Sequence, residues 1–175
     1  MIFNVLLAIA ISVGGLTDGE KTVNIQKLIS ASDFKLLLPG EKITRDWKFE
    51  VKWPYPLRYD QSISNVRLHY FDRNGNFMIG IEQHKASGYT YKKEMTKIDL
   101  RNRTSQTRIV TEHFQQEERG EVIHIGKAKG YFEAWGSREP MPGGILHWIQ
   151  GDTYVEMDSG ELTKEQMVEM ARSMK

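Results

Sequence analysis

The sequence predicts an α+β fold, in which a mostly antiparallel twisted sheet of about seven strands carries a short N-terminal helix and a C-terminal amphipathic helix on one face. Three observations support this prediction. Segments with alternating apolar residues recur between residues 47 and 157. Glycine-containing turns that suit hairpins separate most of these segments. A capped amphipathic segment, residues 163–174, ends the chain.

The composition excludes several functional classes. A chain of 175 residues suits a single domain, which we place at residues 25–175. The absence of cysteine excludes disulfides, thiol catalysis and cysteine-ligated metals. The 24 basic and 23 acidic residues nearly cancel, so no nucleic-acid partner is expected.

The first residues have the character of a targeting segment. Residues 1–16 are apolar apart from Asn4 and Ser12, and they are shorter than a spanning helix of about 20 residues. A signal peptide, part of a membrane anchor and a buried segment all stay open as interpretations. Residues 17–24 are polar and linker-like, which favours export and an extracytoplasmic location. Contact with a membrane is expected only through this N-terminal segment.

Four features are predicted ahead of the first hairpin. Residues 23–31 suit a short helix, and the apolar run 34–38 stops at Pro39, which cannot donate to a strand ladder. Residues 47–51 alternate in the manner of a half-buried strand. The proline-rich residues 53–56 predict extended backbone and a loop.

The strongest local signal is a hairpin around the Asn-Gly pair at residues 74–75, flanked by alternating segments at 66–70 and 77–81. The charged stretch 85–107 gives the poorest signal, and we expect part of it to be helical and part to be a mobile excursion. Residues 108–114 are expected to form a further strand.

The last third of the chain predicts two more hairpins. Segments 122–125 and 131–135 flank a glycine-containing turn. Residues 145–149 are apolar on both faces, which is typical of an interior strand. Gly151 can take the positive φ that a tight turn needs, and it leads into a strand at 153–157.

The C-terminal helix is predicted by its cap and by its periodicity. Thr163 and Gln166 match a capping box, in which each side chain bonds the backbone amide of the other residue. Apolar residues between Met167 and Met174 then recur at helical spacing. We expect this helix to cover the sheet.

Several short motifs resemble, in this order, a family of bacterial extracytoplasmic proteins. They are LLLP at 36–39, VRLHY at 66–70, IGIEQ at 79–83, LHW at 146–148 followed by Gly151 and Tyr154, and MARSM at 170–174. Over residues 25–174 the chain thereby resembles "domain of unknown function 4367", which occurs on anti-sigma-factor-like and exported proteins of Gram-positive spore formers. The resemblance implies export, an α+β fold and a binding or regulatory role. It brings no catalytic residues, and the long stretch 85–107 departs from the family.

The histidines fit no standard metal-binding pattern. Their spacing matches neither zinc-binding nor protease motifs. His69 is expected at the surface, and His147 in a core or an interface. Convergence of two or three histidines in space stays open. The five are His69, His84, His113, His124 and His147.

Other catalytic and cofactor motifs are also missing from the sequence. Residues 72–76 resemble part of a calcium loop, but its twelfth position is Gln83 instead of glutamate, so a hairpin turn is preferred. The chain has no nucleophile elbow, phosphate-binding loop or dinucleotide fingerprint. The sequence therefore predicts neither an enzyme nor a cofactor.

Two surfaces are candidates for binding. Trp53, Tyr55 and Tyr59 lie in the proline-rich loop, where exposed aromatic rings would suit a peptide, glycan or lipid. Burial of these rings against the sheet edge is the alternative. A basic cluster is the second candidate, with an ordinary solvated face as its alternative. Its members are Lys92, Lys93, Lys97, Arg101, Arg103 and Arg108.

The leading functional prediction is a non-enzymatic extracytoplasmic domain that binds a protein or a cell-envelope component in a regulatory or sensor-like role. The first alternative is a carrier that holds a hydrophobic or lipid ligand in a cleft between sheet and helix. The second is a hydrolase with an unrecognised site.

Overall fold

The computed structural model describes residues 23–136 and 141–175, so the predicted signal or anchor segment and most of the predicted linker lie outside the described residues. The helices in the described residues are α1 (Ile25–Ala31), α2 (Glu41–Thr44) and α3 (Lys164–Ser173). The strands are β1 (Lys48–Trp53), β2 (Asn65–Phe71), β3 (Phe77–Lys85), β4 (Thr90–Asp99), β5 (Thr104–His113), β6 (Glu121–Ile125), β7 (Ala128–Ala134), β8 (Gly144–Gln150) and β9 (Thr153–Ser159).

Seven of these strands form one sheet in the order β1-β2-β3-β9-β8-β7-β6, and every neighbouring pair is antiparallel. Within residues 23–136 and 141–175, β4 and β5 pair only with each other, as a separate two-stranded sheet. The predicted α+β class is therefore confirmed. The central pairing of β3 with β9 joins the two halves of the chain, and the β4–β5 excursion leaves from that junction.

One face of the sheet carries the hydrophobic core. Alternate strand residues such as Leu68, Ile81 and Trp148 point into it and are completely buried. Leu28 of α1 and Met167 of α3 close it from the opposite side. Both predicted helices thus lie on this core face, because each has an apolar stripe that only the sheet can cover.

The predicted turns and cap form as expected. Gly75 ends the β2–β3 turn with φ +84°, and Gly151 joins β8 to β9 with φ +66°, which are conformations that side chains with a Cβ rarely adopt. The Thr163 hydroxyl accepts from the amide of Gln166, and the Gln166 side chain accepts from the amide of Thr163. The capping box is therefore complete.

A buried glutamine fastens the apolar run 34–38 to the core face. Gln83 of β3 is completely buried, and its Oε1 accepts from the Leu37 amide at 2.9 Å. Its Nε2 donates to the Leu37 carbonyl at 2.8 Å. The neighbouring Leu38 exchanges two backbone hydrogen bonds with Lys175. The run is therefore held as an extended segment by one side chain and by the chain terminus.

The helix expected within residues 85–107 is wrong. This stretch contains no helix, because residues 90–99 form β4, which pairs along its whole length with β5. β5 begins at Thr104, four residues before the strand predicted at 108–114. The stretch is rich in threonine and tyrosine, which favour strands. The usual alternation of apolar and polar residues is absent because neither face of the hairpin is buried.

Candidate binding surface

β4 and β5 form an arm, residues 90–113, that extends from the body of the protein. No residue of either strand is buried, and only Asp99, Val110 and Glu112 are even half-buried. Ten consecutive residue pairs hold the two strands together. At about 3.3 Å per residue, ten residues span roughly 33 Å. The arm therefore stands out in solvent and is stabilised by its own ladder.

One face of the arm mixes apolar and basic side chains. The register places Lys93 opposite Val110 and Met95 opposite Arg108. Near the base of this face, the Tyr91 hydroxyl donates to Glu112 at 3.0 Å, and this bond raises the pKa of Tyr91. The other face carries Thr96 and Thr107, which share a hydrogen bond of 2.9 Å, together with Lys92, Ile98 and Ile109. The cations are thus distributed over both faces.

The arm tip, residues 98–103, combines the most exposed apolar side chain of the described residues with two arginines. Leu100 is 85% exposed and Ile98 is 65% exposed. The Asp99 carboxylate accepts from the amides of Arg101 and Asn102 at 3.0 and 3.1 Å. These bonds lower the pKa of Asp99, so its charge helps to order the turn.

An aromatic cluster, which we call the root, fixes the arm to the sheet. The His84 ring stacks on Tyr89 with centroids 3.8 Å apart, and Phe114 meets it edge-on at 4.5 Å. Phe114 also contacts Tyr154 at 4.5 Å. The Phe114 amide donates to the Tyr89 carbonyl at 2.9 Å, which closes the arm at its base. The root therefore sets the direction in which the arm leaves the body.

Below the arm, residues 114–120 form a strap across the face of the sheet opposite the core, which we call the open face. Phe114 lies on β9, and Glu118 and Arg119 pair with Lys129 and Glu133 of β7. His147 of β8 lies between these points and is only 8% exposed, with no hydrogen-bond partner on its Nδ1 among the described residues. Burial lowers the pKa of His147 and so favours the neutral ring.

The aromatic loop divides into exposed and packed residues. Trp53 is 53% exposed and Tyr55 is 82% exposed. Tyr59 packs against the core, and its hydroxyl accepts from the Asn24 amide at 3.1 Å. The burial alternative therefore applies to Tyr59, whereas Trp53 and Tyr55 face solvent.

The two predicted surfaces leave the same end of the sheet. All six predicted basic residues, Lys92, Lys93, Lys97, Arg101, Arg103 and Arg108, lie on the arm or its tip. The aromatic loop follows β1 at Trp53, which pairs with Arg67. The arm follows β3, whose His84 pairs with Asn65. Most cations of the arm lie farther out than its root and therefore away from the aromatic loop. The structure does not bring the two surfaces together into one site.

The open face also carries a polar cluster that is paired within itself. Arg67 Nη2 donates to Asp158 at 2.6 Å, Nη1 to Glu82 at 3.3 Å, and Nε to His69 at 3.0 Å. Burial, followed by the charge of Arg67, lowers the pKa of His69. His69, His84 and His147 all lie on the open face. Residues 23–136 and 141–175 nevertheless contain no group of three or more ligands placed to hold a metal ion. The cluster suits a structural ion-pair network.

Two grooves flank α3. The larger, of about 420 Å³, lies between the β6–β7 turn, the β8–β9 turn and the end of α3. The smaller, of about 330 Å³, lies between α3 and β6 and is lined in part by Lys164, Glu165 and Arg172. Charged side chains therefore line these grooves beside the apolar ones. Among the described residues, no helix is long and apolar enough to cross a bilayer.

The apolar tip and the root were not recognised in the sequence. Ile98 and Leu100 are single apolar residues among charges, a pattern with no periodicity to mark it. The root joins His84, Phe114 and Tyr154, which are far apart in the chain. One signal was available: the aromatic residues Tyr89 and Phe114 bracket the charged stretch and could have indicated a closed base.

Comparison with known proteins gives no relative. The chain matches no family model, no curated protein and no solved structure.

Proposed function

We propose that the protein is a non-enzymatic extracytoplasmic binding domain, with a sensor-like or regulatory role, that engages a cell-envelope component through its arm. The observation that carries the proposal is the arm itself, whose strands expose Met95, Ile98 and Ile109 and bury nothing. The resemblance to domain of unknown function 4367 and the export-like start of the sequence support the location.

An isolated hairpin such as the arm lacks a covering layer. A two-stranded hairpin is only marginally stable in water unless a third strand or another layer covers it. Exposed strand edges and apolar patches usually mark places where another molecule binds. No other described strand pairs with either edge of the arm, and the arm exposes apolar residues, so a partner would cover the surface that the body leaves open.

The carrier alternative has less support. The space between the sheet and the helices is filled by completely buried side chains, including Trp148, Leu28 and Met170. The grooves beside α3 are lined partly by charges. A hydrophobic ligand would prefer an enclosed apolar cavity. The hydrolase alternative has no cluster of nucleophile, base and orienting group to support it among the contacts described above.

Binding through the arm is tested by replacing residues 90–113 with Asn-Gly. Tyr89 and Phe114 are already hydrogen-bonded across the base, so a two-residue turn can close the chain there. We expect this variant to keep its cooperative unfolding and to lose co-sedimentation with isolated cell-envelope fragments. The control is the double variant Trp53→Ser and Tyr55→Ser, which should still sediment. Loss of binding in the control instead would assign the function to the aromatic loop.

Export is tested separately by fusing a reporter after Lys21. A reporter that is active only outside the cytoplasm should be active in this fusion. Activity confined to a cytoplasmic reporter would contradict the extracytoplasmic part of the proposal.

A further inference from the structure

The arm divides the charge of the protein into two unequal parts. Six of the 24 basic residues and three of the 23 acidic residues lie between residues 90 and 113. The arm therefore carries a formal charge of +3, and the rest of the chain carries −2. An anionic ligand would therefore be attracted to the arm and weakly repelled by the rest of the protein.

The arm is longer than the distance over which charges interact in physiological salt, so its tip lies outside the electrostatic influence of the body. The Debye length at physiological ionic strength is about 8 Å, whereas the arm spans roughly 33 Å. A flat anionic surface that touches the arm tip would hardly sense the charge of the body. A long polyanion lying along the protein would meet both parts, so the charge distribution favours the flat surface.

The tip has the chemistry of a peripheral membrane contact. Leu100 and Ile98 lie at the end of the arm, where they can enter the boundary between headgroups and acyl chains. Arg101, which follows Leu100 directly, and Arg103, two residues further along, are both exposed, so they would remain at headgroup level. The hydrogen bonds of the Asp99 turn hold these side chains at the end of the β4–β5 ladder. The tip therefore exposes two apolar side chains next to two arginines.

We propose that the arm tip, residues 98–103, binds the surface of an anionic phospholipid bilayer, with Ile98 and Leu100 inserted and Arg101 and Arg103 on the phosphates. This inference rests on the proposed function and names its envelope component. It adds a second membrane contact to a protein whose sequence predicted one only at its N-terminus.

The insertion of the tip can be followed with a single fluorophore. The chain has no cysteine, so Leu100→Cys labelled with an environment-sensitive dye reports from the tip alone. We expect the full-length labelled protein to brighten and shift to the blue with vesicles of phosphatidylcholine and phosphatidylglycerol. Vesicles of phosphatidylcholine alone should give little change, and added salt should reverse the signal. The matched control is Lys127→Cys in the exposed β6–β7 turn, which should stay unchanged.

For the unlabelled full-length protein, the excess of binding to the anionic vesicles over binding to the phosphatidylcholine vesicles measures the contribution of each side chain, because a contribution of the apolar residues 1–16 is common to both. Each cation near an anionic membrane contributes about fivefold in affinity, so Arg101→Gln with Arg103→Gln should weaken binding about 25-fold. Leu100→Ser should weaken it by about tenfold or more. The controls are Lys42→Gln with Arg45→Gln and Val122→Ser, which remove exposed charge and apolar surface from the body and should leave binding unchanged.

The outcomes separate this inference from the proposed function. A fluorescence change at position 100 that ignores lipid charge, or a preference for anionic vesicles that survives the tip substitutions, would overturn the inference. Tighter, tip-dependent binding to duplex DNA or to an acidic peptide than to vesicles would overturn it as well. If the arm is needed for binding to delipidated envelope fragments while vesicles are not bound, the lipid assignment fails and the proposed function stands. If the arm replacement has no effect on either, both fail.

Discussion

The body and the arm are both built from paired antiparallel strands, but different interactions hold the strands in place. In the body, side chains such as Trp148 and Met157 are completely buried, and burial fixes the register of each strand. In the arm no side chain is buried, and the register depends on the backbone ladder and contacts such as Lys93 with Glu112, 3.5 Å apart. Substitutions in the body should therefore mainly change stability, whereas substitutions in the arm should mainly change binding.

The largest expected effect in the body comes from removing Trp148. Trp148→Ala leaves a large cavity beneath the sheet and should cost about 3–5 kcal/mol of unfolding free energy. The matched arm variant, Ile109→Ala, removes a side chain that is 69% exposed and should change stability by less than about 0.5 kcal/mol. Urea denaturation of both variants makes the comparison. Equal losses would show that the arm packs on the body in solution.

The next largest effect should come from Gln83. Gln83→Leu leaves the amide and carbonyl of Leu37 buried without partners, and each such group costs about 1–3 kcal/mol. We expect a total loss of about 2–4 kcal/mol in thermal or urea unfolding. Gln106→Leu, at an exposed position on β5, is the control and should be near neutral. A neutral Gln83→Leu would mean that residues 34–38 are not fastened by this side chain.

Acid should weaken the body through its buried histidines. Burial lowers the pKa of His84 and of His147 below 6.5, so the unfolded chain takes up their protons first. Stability should therefore fall as the pH drops through about 6.5, with a slope of at most about 1.4 kcal/mol per pH unit for each histidine.

Three groups around His84 oppose the effect of burial on its pKa. The Lys85 carbonyl lies 2.8 Å from Nδ1, and the carboxylates of Glu82 and Glu156 also favour the protonated ring. His84→Phe keeps the aromatic stack with Tyr89 and removes the proton-binding site, so the slope of stability against pH should decrease. Denaturation at a series of pH values measures this slope. An unchanged slope would exclude His84 as a contributor.

The smallest of these effects concerns the cap of α3. Thr163→Ala removes the hydroxyl that accepts from the Gln166 amide and should cost about 1 kcal/mol. Thr107→Ala on the arm removes the exposed hydrogen bond to Thr96 and should cost less. The calorimetric unfolding midpoints of both variants show which substitution costs more stability. A larger loss for Thr107→Ala would contradict the division of the molecule into body and arm.

The same division explains which parts of the fold could be predicted. The turn at Gly75 and the cap at Thr163 are specified by neighbouring residues, so the sequence was sufficient for both. The role of Gln83 depends on Leu37, which is distant in the chain, and no local pattern could reveal it. The arm was mistaken for a partly helical excursion because a hairpin without a buried face has no apolar alternation.

The candidate surface was predictable in its charge and not in its shape. The six cations between Lys92 and Arg108 were visible in the sequence, and all of them lie on the arm. The exposure of Ile98 and Leu100 follows from their position at a tip, and that position is known only once the pairing of β4 with β5 is known.

Hydrogen exchange of the full-length protein, free and bound to cell-envelope fragments, tests the role of the arm most directly. The unpaired edges and exposed ladder of residues 90–113 should exchange rapidly in the free protein. Binding should slow exchange there and leave β8 and β9, which are already protected, unchanged. Protection that appears elsewhere while residues 90–113 exchange as before would contradict the assignment of the binding surface to the arm.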